Sequence, residues 1–121
     1  MEILLSLLQK VKKSDGFEDN VGMILIHNGV VRGWSRKREG KIEKLKVKVD
    51  QEKIKELEKE YSRRPGIFKV LIHANEGEFK PGDDLLYIIV AGDIRDNVKP
   101  VLSELLDKVK KEAVFKEEFF I

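Results

Sequence analysis

Basic side chains at the ends of predicted elements are the residues of this sequence best suited to chemistry. Arg32 follows a long apolar run, Lys110 lies near the end of the last predicted helix, and Lys116 lies on a short terminal strand. A guanidinium presents a planar fork to a phosphate, and an ammonium supplies a point charge or a proton. Both can stabilise negative charge that develops during a reaction. Such residues are therefore candidates for binding or transforming an anion.

Each of these residues also has an ordinary structural explanation. Lysines in the last turn of a helix interact favourably with the helix dipole. A lysine such as Lys116 on a terminal strand protects an exposed sheet edge. A single arginine between a strand and a glycine is commonly a surface residue. Spacing alone leaves these alternatives open.

Of the two histidines, His27 lies in a predicted strand and His73 directly follows one. Zinc sites combine histidines with cysteines, carboxylates or further histidines, and the sequence shows no clear carboxylate constellation around these two. The chain has no cysteine, which excludes disulfides, thiolate metal sites and a thiol nucleophile. We predict no metal and no cofactor, and any sulfur that the protein handles must arrive on another molecule.

Length and composition predict a single domain over residues 1–121. A chain of 121 residues suits one core, and its 41% of hydrophobic residues argue against disorder. The formal net charge of +2 is too small to indicate nucleic-acid binding. No segment approaches the roughly 18 apolar residues of a membrane span, and lysines interrupt the apolar start at Lys10. We expect a cytoplasmic protein without a membrane segment.

Hydrophobic periodicity predicts the elements that position the candidate residues. Helical spacing predicts three helices, at residues 1–11, 51–64 and 96–112. Apolar runs and alternation predict five strands, at residues 21–31, 42–49, 67–72, 85–91 and 114–121. The segments 33–40 and 74–84 are predicted to be polar loops. Several connections are too short for a helical crossover, so we predict an α+β fold with a mostly antiparallel sheet packed with about three helices.

Short motifs occur in three stretches of the chain. The first strand ends in Asn28-Gly29-Val30-Val31-Arg32. The second stretch combines Ile72-His73 with a later Gly77-Glu78-Phe79 and Pro81-Gly82-Asp83. The third begins at Val90-Ala91, passes Arg95 and Lys110, and ends in Phe115-Lys116-Glu117.

In order and approximate spacing, these motifs resemble the catalytic (large) subunit of molybdopterin synthase over nearly the whole chain. That family has an aromatic-x-Gly-x-Val-Arg pattern after a strand, then a His-Arg-x-Gly segment and a Pro-Gly-Asp/Glu turn. It continues with a His-Arg pair, a helix with a lysine near its end and a Trp-Lys-Lys/Arg-Glu motif.

The resemblance implies sulfur transfer in molybdenum cofactor biosynthesis. Two sulfurs would be inserted into a cyclic pyranopterin monophosphate precursor to form molybdopterin. The donor would be a ubiquitin-like small subunit that carries a C-terminal Gly-Gly thiocarboxylate, and the large subunit would form a homodimer. By the same resemblance, the predicted catalytic residues are Lys110 and Lys116. The predicted substrate-binding residues are Arg32, Arg95, His27 and His73.

The chain departs from the family pattern at four motif positions. His27 replaces an aromatic residue, Ala74 an arginine, Ile94 a histidine and Phe115 a tryptophan. These changes keep a second hypothesis open, a non-catalytic relative that retains the fold and a protein-binding surface. A weaker alternative is an RNA-binding module that uses the basic segment 33–40, although the chain carries no recognised RNA motif. The Arg36–Arg38 cluster of that segment could bind phosphate or RNA, and a charged loop tip is its ordinary explanation.

Overall fold

The computed structural model describes residues 2–121 and contains four helices and six strands in that range. The helices are α1 (Glu2–Lys12), α2 (Phe17–Asn20), α3 (Gln51–Ser62) and α4 (Arg95–Glu112). The strands are β1 (Met23–Val30), β2 (Ile42–Val49), β3 (Ile67–Ala74), β4 (Gly77–Phe79), β5 (Asp84–Gly92) and β6 (Val114–Phe120). None of these helices combines the length and the apolar character needed to cross a bilayer.

The strands form two antiparallel sheets of three strands each. One sheet has the order β1-β5-β3 and the other β4-β2-β6. The predicted α+β fold with antiparallel pairing is therefore confirmed. The division into two sheets is not visible in the sequence pattern, because pairing partners far apart along the chain leave no local signal.

The central strand β5 explains the most apolar run of the chain. Its residues 85–91 are all buried. One face, with Ile88 and Val90, belongs to the main core that α3 and α4 cover. The other face, with Ile89 and Ala91, packs in a second cluster with Val11 of α1. A strand buried on both faces has no polar alternation, which accounts for its continuous hydrophobicity.

Two short elements were not predicted. Residues 17–20 form the single turn α2, and Phe17 packs edge-on against the ring of Phe68 at a centroid distance of 6.2 Å. The segment 74–84, predicted as a polar loop, contains β4, in which Phe79 pairs with Leu45 of β2. Both elements depend on contacts with distant parts of the chain, whereas the prediction used local periodicity.

Candidate functional site

A cavity of about 260 Å³ lies where the end of β1, the start of β5, the C-terminus of α4 and strand β6 come together. Its lining includes four basic side chains, Arg32, Arg36, Lys110 and Lys116. The remaining walls come from His27 to Val30 on β1, Leu85 and Leu86 on β5, and Val114 on β6. A smaller cavity of about 40 Å³ adjoins it and shares Arg32 and Lys116.

The junction between α4 and β6 brings the two lysines together. Helix α4 ends at Glu112, and β6 starts at Val114 after the single buried residue Ala113. Val114 is buried, and alternation along a strand places Lys116 on the same face as Val114. Lys116 therefore stands on the interior side of β6, near Lys110 in the last turn of the helix.

His27 lines the same cavity as these lysines from strand β1 of the sheet. Its imidazole is on the α4 face of β1, because His27 pairs with Ile88 of the main core. Burial lowers the pKa of His27 below its ordinary value of 6.5, and the charges of Lys110 and Lys116 lower it further. Its Nε2 atom is buried without a hydrogen-bond partner among residues 2–121. Burial and the lysine charges both favour the neutral imidazole over the imidazolium.

The cations of the cavity have no salt-bridge partner among the described residues. Burial lowers the pKa of Lys116, the charges of Lys110 and Arg32 add to that effect, and the carboxylate of Glu118 opposes it. Lys116 as a whole remains accessible to water. Within the described chain, neither these residues nor Arg36 form a salt bridge. Four basic groups without ion-pair partners make the cavity a site of positive potential.

Arg36 was not among the predicted substrate-binding residues. The sequence left its cluster, Arg36–Arg38, either as a phosphate or RNA contact or as an ordinary charged loop tip, whereas the structure places Arg36 in the wall of the cavity with Arg32. Arg32 in turn lies over the exposed ring of Trp34, with the guanidinium carbon 4.6 Å from a ring centroid. The signal for Arg36 in the sequence was a basic residue four positions after Arg32. The path of the loop decides whether the side chain of Arg36 reaches the cavity.

Two predicted site residues lie elsewhere in the chain. His73 pairs with Tyr87 of β5, and its ring stacks on Tyr87 on the face opposite to His27. Its Nε2 is 2.9 Å from the side-chain oxygen of Asn75. Arg95 is the first residue of α4, and fifteen residues of helix before Lys110 correspond to about 22 Å. Their proposed roles in substrate binding stay predictions.

A larger hollow of about 550 Å³ lies away from this site, near the start of α4. It is lined by Asp19, Asn20, Asp93 and residues 66–68. The carboxylate of Asp93 accepts hydrogen bonds from the backbone of Ile94 and the side chain of Asn97. This hollow contains neither motif residues nor basic groups among its described lining, so the basic cavity is the stronger candidate site.

The arrangement in the basic cavity suits an anionic ligand of modest size. Two guanidiniums can bind phosphate oxygens, and two ammonium groups can stabilise negative charge or supply a proton. The neutral His27 adds an imidazole that can accept a hydrogen bond. Among residues 2–121, no group of three or more His, Asp or Glu side chains is placed to hold a metal ion.

The family model for the MoaE protein matches residues 4–112 of the chain. No curated protein sequence matches the chain significantly. The fold is similar to that of protein E of molybdopterin cofactor biosynthesis from Burkholderia multivorans, at 18% identity and a TM-score of 0.75, over 98% of this chain and 81% of that one.

Two further solved structures share the fold. A molybdopterin synthase structure from Staphylococcus aureus matches with 18% identity and a TM-score of 0.73, over 90% of this chain and 85% of that one. A complex of subunits 1 and 2 of molybdopterin-converting factor from Helicobacter pylori matches with 17% identity and a TM-score of 0.72, over 98% and 77% of the chains. The resemblance seen in the sequence is thus confirmed, and the chain belongs to the MoaE family, the family of the molybdopterin synthase large subunit.

Proposed function

We propose that this chain is the catalytic subunit of a molybdopterin synthase and transfers sulfur to a cyclic pyranopterin monophosphate precursor. Its family membership supports a role in molybdenum cofactor biosynthesis. One observation carries the proposal of sulfur transfer to this precursor: in this member of the family, Arg32, Lys110 and Lys116 line the same cavity. A phosphate-bearing substrate and a thiocarboxylate donor are both anions, which such a cavity attracts.

The sulfur donor in this proposal is a thiocarboxylate at the Gly-Gly end of a ubiquitin-like small subunit. The chain has no cysteine to carry sulfur itself. Structures of this fold include a complex of two molybdopterin-converting factor subunits, which supports a small-subunit partner. The thiocarboxylate sulfur attacks a carbon of the precursor and forms a carbon–sulfur bond, while a carbon–oxygen bond of the precursor breaks and the oxygen leaves, after protonation, as water. A second water then hydrolyses the acyl–sulfur bond of the resulting thioester, which leaves the sulfur on the precursor and the carrier as a carboxylate.

Each basic residue has a distinct role in this mechanism. Arg32 binds the substrate phosphate through its planar fork. Lys110 transfers a proton or stabilises the acyl adduct, and Lys116 adds positive potential where negative charge develops. His27 contacts the substrate as an uncharged hydrogen-bonding group in the place of the family's aromatic residue.

The proposal includes a homodimer, because Arg95 is too far from Lys110 along α4 to share a substrate with it in one chain. In a homodimer, Arg95 of a second copy of the chain would reach the cavity.

Two residues support the alternative of a non-catalytic relative. Ala74 is buried in the core where the family has an arginine, and the exposed Ile94 takes the place of a histidine.

The direct test is turnover with purified components. The chain is mixed with the pyranopterin precursor and the thiocarboxylated small subunit of the same source, and molybdopterin is followed as its oxidised fluorescent derivative. Product above a control without the chain supports the enzyme. No product, with precursor and partner shown to be competent with an authentic large subunit, would favour the non-catalytic relative.

Lys110→Ala should lower kcat by about a hundredfold or more, because the variant loses the group proposed for proton transfer or charge stabilisation. Lys111→Ala is the matched control, since Lys111 is the next residue of α4, is exposed and does not line the cavity. The assay is initial-rate turnover, with circular dichroism to show that both variants fold. Equal rates for Lys110→Ala and the wild type would remove Lys110 from the mechanism.

A further inference from the structure

The loop that follows β1 is attached to β6 rather than extending into solvent. This segment, residues 31–41, is called the basic loop here. Ser35 Oγ donates a hydrogen bond to Glu118 Oε1 at 2.7 Å, and the backbone N–H of Lys37 donates to Ser35 Oγ at 3.0 Å. The guanidinium carbon of Arg38 lies 3.8 Å from the ring centroid of Phe120. Ser35 and Arg38 therefore fix the loop on both sides of Arg36.

The base of the basic loop is closed by its own backbone. Trp34 and Lys41 form an isolated antiparallel bridge, and the N–H of Ile42 donates to the carbonyl of Gly33 at 3.0 Å. The short segment between these two backbone contacts contains Ser35 and Arg36. A loop closed at its base and bonded at Ser35 has few alternative paths, so the position of Arg36 is determined by the fold.

Arg36 and Arg32 form the loop side of the cavity, whereas Lys110 and Lys116 approach it from α4 and β6. Arg32 lies against Trp34, which restricts its guanidinium. Arg36 has no carboxylate partner within residues 2–121. Two guanidiniums on one side of a cavity can together bind the non-bridging oxygens of a phosphate ester.

We propose that Arg36 is a second phosphate-binding residue of this site and that the hydrogen bond from Ser35 to Glu118 positions it. The proposal rests on the proposed function for the identity of the substrate. The two guanidiniums suit the oxyanion of a phosphate ester, which the proposed function identifies as the precursor. Lys110 and Lys116 remain available to the reacting part of the substrate.

The first experiment compares Arg36→Gln with Lys37→Gln in the turnover assay. Both variants lose one positive charge from the basic loop, but Lys37 does not line the cavity. Arg36→Gln should raise KM for the precursor by about tenfold, the effect of one charge-assisted hydrogen bond, with kcat changed less than twofold. Lys37→Gln should keep both constants. Equal KM values for Arg36→Gln and the wild type would overturn the proposal.

The second experiment measures binding without turnover. Trp34 is the single tryptophan of the chain and lies in the basic loop, so its fluorescence reports ligand binding there. Inorganic phosphate is titrated into the wild type and the two variants. The dissociation constant for phosphate should rise about tenfold in Arg36→Gln alone. If the wild type binds phosphate through Arg36 but makes no molybdopterin, the proposed function fails and this inference stands. Equal phosphate affinities in all three proteins would reject the inference.

The third experiment tests positioning by Ser35. Ser35→Ala removes the hydroxyl that contacts Glu118, whereas Ser35→Thr keeps a hydroxyl. Ser35→Ala should raise KM about threefold to tenfold with kcat retained, and Ser35→Thr should restore the wild-type KM. A purely structural role would lower the active fraction and leave KM unchanged. An unchanged KM in Ser35→Ala would show that this hydrogen bond does not position Arg36.

Discussion

His27 gives this family member an imidazole at a position that the family pattern fills with an aromatic ring. The imidazole is partly buried beside Lys110 and Lys116, and Gly29 leaves room for it, since a Cβ there would lie 3.2 Å from its Nε2. Positive neighbours and burial both disfavour the imidazolium. A proton on His27 would add a further charge to a cavity that already holds four unpaired cations.

This environment predicts a specific pH dependence of stability. The pKa of His27 is lowered in the folded protein, so the unfolded chain binds the imidazole proton more readily. Stability from this group is therefore complete above the ordinary pKa of 6.5 and is lost as pH falls below it toward the lowered folded value. His27→Phe, which restores an aromatic residue, should remove this contribution.

Urea unfolding at pH 7.5 and 5.5 measures the effect. The free energy of unfolding should fall more between these pH values in the wild type than in His27→Phe. His27→Gln, uncharged but polar, should behave like His27→Phe if the loss of titration is the cause. The same pH dependence in all three proteins would mean that His27 titrates as it does in the unfolded chain.

At the scale of elements, helix α3 protects an edge of the sheet that carries the site. Strand β3 pairs with β5 on one side only, which leaves an edge with free backbone groups. Glu58 of α3 accepts a hydrogen bond from the backbone N–H of Ile72 at 2.7 Å. Burial raises the pKa of Glu58, and the hydrogen bond from Ile72 opposes that rise. The contact ties α3 to the strand beside β5.

Glu58→Ala should lower the free energy of unfolding by about 1–2 kcal/mol, because the N–H of Ile72 loses its acceptor in a half-buried position. Glu58→Gln should cost less, since its amide oxygen can still accept the bond. Urea unfolding at pH 7.5 compares the two variants with the wild type. Turnover is measured as a control, because α3 does not line the cavity. A Glu58→Ala protein as stable as the wild type would show that solvent satisfies this N–H.

At the scale of the whole molecule, one chain does not bring all the predicted substrate-binding residues to one place. Arg95 and Lys110 are near opposite ends of α4, and His73 is on the other face of the sheet from His27. The predicted homodimer would combine the cavity of one chain with Arg95 of another. Sedimentation should then report twice the chain mass of 14.0 kDa.

Mixing two inactive variants tests this arrangement. If Arg95 acts across the dimer, exchange between Arg95→Ala and Lys110→Ala subunits should restore about a quarter of wild-type activity. Half of the dimers would then be mixed, and one of the two sites in each mixed dimer would be intact. The site that contains Lys110 in the first variant receives Arg95 from the second. Activity that stays at the level of the separate variants, with exchange verified, would indicate that Arg95 acts within its own chain or not at all.

The sequence by itself determined the local elements and the family. Hydrophobic spacing predicted the three long helices and five of the six strands, because periodicity is written into neighbouring residues. The resemblance to the family predicted that Arg32, Lys110 and Lys116 belong to one site. The structure places all three in the lining of one cavity, and their roles stay predictions.

Only the tertiary structure decided which other residues join that cavity. His27 lies in a predicted strand and His73 directly follows one. In the structure, strand register places them opposite neighbouring residues of β5, Ile88 and Tyr87, and hence on opposite faces of the sheet. Arg36 enters the cavity because hydrogen bonds and contacts with β6 set the path of the basic loop. Register and loop path depend on partners distant in sequence, so local spacing does not contain them.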